Sequence, residues 1–131
     1  MKKDIEIPEV KDVFMAVVRE ENEDFRSMDW NAYLVNESDA PIDTVLIVTR
    51  GYSESQTTST MRHSLKELPP KSFAKVEFLQ DEVLALNNEF SVSYFADGQM
   101  LHRKFVFKKN SINEKATQEI PVMGKKGVVV R

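Results

Sequence analysis

Apolar and polar residues alternate along most of this chain with the two-residue period of β-strands. VFMAVVRE (13–20) is rich in β-branched and aromatic residues, and WNAYLVNE (30–37) follows the acidic loop ENEDFRSMD. SDAPID is a turn by its Ser, Asp and Pro content. TVLIVTRGYS (44–53) is a core strand that runs out into polar residues, and TTSTMRHSL (57–65) alternates less clearly. LPPKS breaks the chain before the well-alternating SFAKVEFL (72–79). DEVLALNN (81–88) suits one helical turn at a corner.

The strongest local signal is FSVSYFADGQMLHRKFVF, two alternating runs around Asp97-Gly98. That dipeptide is favoured in two-residue type I′ hairpins. It sets Ala96 against Gln99, Tyr94 against Leu101, Val92 against Arg103 and Phe90 against Phe105 on the core face. The wet face then pairs Phe95 with Met100, Ser93 with His102 and Ser91 with Lys104. Arg103 is the misfit on the apolar face: either an edge residue whose head reaches water, or a buried arginine paired to a carboxylate.

Seven short strands follow, at 13–20, 30–37, 44–52, 57–65, 72–79, 90–96 and 100–108. With turn signals between them they predict an all-β fold, an antiparallel immunoglobulin-like β-sandwich. The chain divides into a sandwich domain, 1–109, and an ordered C-terminal extension, 110–131. LPPKSFAKVEF resembles the segment entering the fifth strand of immunoglobulin and fibronectin type III-like domains, and Trp30 resembles their core tryptophan. Phe90 stands where many of them carry a corner tyrosine. TVLIVTRGY, TSTMRHSL, FADG and PVMGKKGVVVR also resemble a family of small uncharacterised bacterial proteins of about this length. Some members of that family carry a phenylalanyl-tRNA synthetase label. The resemblance implies no catalytic residue, and the paired arginine motifs of class II synthetase cores are not found in these 131 residues.

Composition narrows the field. The chain contains no cysteine, which excludes disulfides, thiol catalysis and thiolate metal sites. No apolar run approaches a membrane span, and MKKDIEIPEV does not read as a secretory signal, so a cytoplasmic protein is expected. Residues 1–98 carry ten basic and nineteen acidic side chains, while residues 99–131 carry eight basic and two acidic ones. This asymmetry points to RNA or another acidic partner for residues 99–131, or to a basic end lying on the chain's own acidic part. RNA binding is the weaker choice, because Phe105 and Phe107 fall on the core side and cannot stack bases.

Chemistry-bearing motifs are few. Six of the eight residues at 53–60 are Ser or Thr, and around them stand Arg50, Tyr52, Arg62 and His63. These four form the candidate polar binding face, for an anion or small molecule; a wet sheet surface is the alternative. There are two histidines, His63 and His102, and no nucleophile–base–orienter spacing. Glu20, Glu21, Glu23 and Asp24 lack the glycine-turned spacing of a calcium loop. No cofactor and no enzymatic activity are expected. The tail ends in apolar residues that want a strand partner or a groove. Val122, Met123, Lys125, Lys126, Val128 and Val130 make it a candidate interaction element, docking on an edge strand or on a neighbouring chain. A non-catalytic protein-interaction module is expected, and with it the two-fold dimer such a tail would form.

Overall fold

The structure, a computed structural model, describes residues 12–131. The N-terminal reading of residues 1–10 lies outside the described residues. The described residues form nine strands: β1 (Val13–Asn22), β2 (Ser27–Asn36), β3 (Ile42–Tyr52), β4 (Met61–Leu68), β5 (Ser72–Leu79), β6 (Asn87–Ala96), β7 (Gln99–Phe107), β8 (Gln118–Ile120) and β9 (Lys125–Val130). Single 3-10 turns occupy Asp81–Ala85 and Glu114–Ala116.

Two antiparallel sheets result, one ordered β5-β2-β1-β9-β8 and the other β4-β3-β6-β7. The chain changes sheet between β2 and β3, between β4 and β5, and between β5 and β6, as in immunoglobulin-like sandwiches, and once more between β7 and β8. The first seven strands follow the predicted order, and β8 and β9 extend the first sheet. The β6–β7 hairpin has the predicted register, with Ser93 opposite His102 and Phe90 opposite Phe105. Asp97 and Gly98 both take positive φ, 53° and 75°, as a type I′ turn requires.

The core sits between the sheets. Ile47, Val92, Phe90, Phe105 and Phe107 face Met15, Val17, Ala32 and Leu34, and all are almost fully buried. Phe90 and Phe107 meet edge to face at 5.8 Å, a favourable ring geometry. Residues 13–18 are buried on both faces of β1, which explains why VFMAVV reads as a continuous apolar run.

Two boundaries differ from expectation. β4 begins at Met61, not at residue 57. Thr58 instead folds back on the end of β3: its N–H donates to the Gly51 carbonyl and its Oγ1 accepts from the Gly51 N–H, both at 2.8 Å. The hydroxyl run is therefore a loop, which fits side chains that bond local backbone. The acidic loop is also shorter than expected, because β1 and β2 pair as far as Asn22 and Ser27.

The tail docks within the chain. Val128, Val129 and Val130 pair antiparallel with Val17, Ala16 and Met15 of β1. Of the two expected placements, an edge strand of the same chain or a neighbouring chain, the structure has the first. Val128, Met123 and Ile120 are buried, while Val122, Val129 and Val130 pack half-buried against the core.

Candidate functional site

Registered rows across the four-stranded sheet decide which side chains share a face, because directly opposed residues point the same way. One core-facing row runs His63–Ile47–Val92–Arg103, and the next runs Met61–Thr49–Phe90–Phe105. Each row ends in an edge residue at β4 and another at β7. His63 and Arg103 thus sit at opposite rims of a single row and reach across to the other sheet. Arg103 donates to the main-chain oxygen of Arg131 and lies 5.1 Å from the Phe105 ring centroid. His63 Nε2 meets Glu77 Oε1 of β5 at 2.7 Å. The apparent misfit of Arg103 is a link across one seam of the sandwich, and His63 links the other.

The seam at β4 and β5 opens into a cleft of about 550 Å³. Phe90 and Leu79, both buried, form its apolar lining together with the half-buried Val83. Met61 and Phe78 also line it and are 51% and 47% exposed, beside the exposed Arg50, Ser59 and Gln80. Three charged residues line the cleft, Arg50, Glu77 and Glu89; Glu77 Oε1 accepts from Thr49 Oγ1 at 2.9 Å and bonds His63. No hydrogen bond reaches Glu77 Oε2 among the described residues. Thr49 is 3% exposed.

Of the four residues of the candidate polar face, Arg50, Tyr52 and Arg62 lie on the outer face of the four-stranded sheet and His63 on the core side. Arg62 and His63 are neighbours on one strand and so point to opposite faces. Arg62 lies opposite Val48 on the outer face, while His63 lies opposite the buried Ile47. Arg50 pairs with Glu89 at 3.3 Å and stacks over Tyr52 at 4.9 Å. Of the four, only His63 touches Glu77. Glu77 was not singled out from the sequence, since one glutamate in an alternating strand carries no local signal. Only the β4–β5 crossover brings it to His63.

Elsewhere, Ser93 Oγ and His102 Nδ1 are 2.8 Å apart on the exposed outer face. Phe105 and Phe107 are buried, so the basic segment offers no aromatic platform there. Several of its cations are engaged internally: Lys104 with Glu89, Lys125 with Glu20 and Arg131 with Glu37.

Glu20 anchors a second polar cluster. Its Oε1 accepts from Asn31 Nδ2 at 2.8 Å and from the Tyr33 hydroxyl at 2.6 Å, and its Oε2 accepts from Lys125 at 2.6 Å. Burial pushes the carboxyl up, but the hydrogen bonds from Lys125, Tyr33 and Asn31 outweigh it and leave the value below the ordinary 4.5. Burial, reinforced by the Glu20 bond and charge, raises the Tyr33 hydroxyl. No group of three or more His, Cys, Asp or Glu suited to a metal occurs among the described residues. No helix among them is long and apolar enough to cross a membrane. Comparison with protein-family models, with curated proteins and with solved structures finds no match to this chain.

Proposed function

We propose that this protein is a non-catalytic binding module and that the cleft between β4 and β5 receives a partner group with an apolar body and a cationic end. A lysine or arginine side chain beside an aromatic or aliphatic residue of a partner protein has that chemistry. The observation that carries this reading is the cleft itself: apolar lining, exposed Met61 and Phe78, and two carboxylates, Glu77 and the Arg50-paired Glu89. Its volume falls within the roughly 300–1,000 Å³ of ordinary ligand sites.

The order of the polar groups favours binding over catalysis. The carboxylate stands between Thr49 and His63, and both bond to it. The imidazole is therefore not placed on the hydroxyl it would have to activate. An anion is the poorer ligand, because Glu77 lines the cleft and Arg50 is already paired with Glu89.

Titration with phenethylammonium and with phenylpropionate, followed by amide NMR, tests the reading. The ammonium probe is expected to shift the Thr49, Gly51 and Glu77 amides saturably, and the carboxylate probe to leave them in place. Equal shifts from both probes, or none from either, would contradict it.

A further inference from the structure

The β1–β2 hairpin ends in a four-residue tip, Glu23-Asp24-Phe25-Arg26, between the paired Asn22 and Ser27. The tip is braced. Asn22 Oδ1 accepts from the N–H groups of Asp24 and Phe25 at 3.0 and 3.3 Å, and the Arg26 N–H donates to the Asn22 carbonyl at 2.7 Å. The Asn22 amide donates to Asp29 at 3.0 Å, which ties the tip to β2. On this frame Phe25 is 79% exposed, the most exposed of the large hydrophobic residues, with Met28 nearby at 50%. Glu21, Glu23 and Asp24 surround it with negative charge against the single Arg26. An aromatic side chain held by a pre-formed loop loses little freedom on docking, which suits it to anchor an interface.

The same molecule carries a surface of matching chemistry. Outer rows of the four-stranded sheet run Arg62–Val48–Ser91–Lys104 and Ser64–Leu46–Ser93–His102. Leu46 and Met100 are 43% and 62% exposed among these basic and hydroxyl groups. The cleft is a poor seat for the tip, because Glu77 would face its carboxylates. We propose that the tip anchors self-association by seating Phe25 and Met28 on the outer face of the four-stranded sheet of a second copy. The carboxylates then lie against Arg62, with Lys104, 3.9 Å from Glu89 of its own chain, beside it. A two-fold pair makes the contact twice, since each copy supplies one tip and one face. This contact is separate from the cleft, so either can fail without the other.

Light scattering over a micromolar-to-millimolar concentration series tests it. The wild type is expected to rise above the monomer mass of 15.1 kDa and to fall back as salt screens the charges. Phe25→Ala, with an unchanged melting curve, is expected to weaken association roughly tenfold or more. The double variant Glu23→Lys/Asp24→Lys and the variant Arg62→Glu are each expected to lose association alone and to associate when mixed. A wild type that stays monomeric throughout overturns the proposal. So does a Phe25→Ala protein that associates like wild type, or a mixture of the charge variants that remains monomeric.

Discussion

Asn36 closes a corner that strand pairing leaves open. It is fully buried at the end of β2, and its amide donates toward the carbonyls of Ala40, Leu68 and Pro69 at 2.9–3.2 Å. Its Oδ1 accepts from the Ser38 N–H and hydroxyl. Replacing it with Ala leaves buried carbonyls without donors, and the expected loss is ~2–3 kcal/mol in a urea unfolding curve. Glu20 gives a pH signature. Because its folded value lies below 4.5, its contribution is present above that pH and is lost as the pH falls through the folded value. Unfolding midpoints of wild type and Glu20→Gln should therefore differ near neutral pH and converge in acid. Tyr94 works at the other end of the scale: burial, then the Asp12 charge, pushes its hydroxyl up to about 12. Its contribution is complete below an ordinary tyrosine value and fades as the pH rises toward 12.

Strand β9 depends on close approach at Gly127. A Cβ there would lie 2.6 Å from the Val17 carbonyl oxygen and 2.7 Å from Ile120 Cδ1. The first contact is backbone and cannot swing away. Gly127→Ala is expected to destabilise the protein by ~1–3 kcal/mol, read as a lower melting temperature, while the β6–β7 hairpin keeps its amide protection. The two segments also show what a sequence discloses. The β6–β7 register is legible because Asp97-Gly98 fixes a turn and the period of two fixes each face. The tail's valines announce that they need burial, but nothing local says against what. Its partner, β1, lies about a hundred residues away and is chosen by the assembled sheet. The hydroxyl run at 57–60 misleads for a related reason: threonine favours strands, yet here Thr58 bonds the backbone of Gly51. Alternation separates His63 from the candidate face, since adjacent Arg62 and His63 point to opposite sides, while Arg50, Tyr52 and Arg62 share the outer one.

The whole molecule is a sandwich with two seams, and the two are finished differently. At one, β9 stands near the edge of β7, and Arg103 bonds across to Arg131. At the other, β4 and β5 belong to different sheets, and the polar link His63–Glu77 borders a cleft that stays open beside it. The chain's own tail extends the first sheet on the far side, and the open near side is where the proposed partner would enter. In the proposed function, Glu77 favours a cationic group in the cleft. The most direct measurement is the affinity of phenethylammonium for wild type and for Glu77→Gln at neutral pH, read from the cleft amides. Glutamine keeps an oxygen for Thr49 and His63 but removes the charge. The account predicts at least a roughly tenfold weaker affinity in the variant, the scale of one lost charge-assisted contact; equal affinities for the two proteins would contradict it.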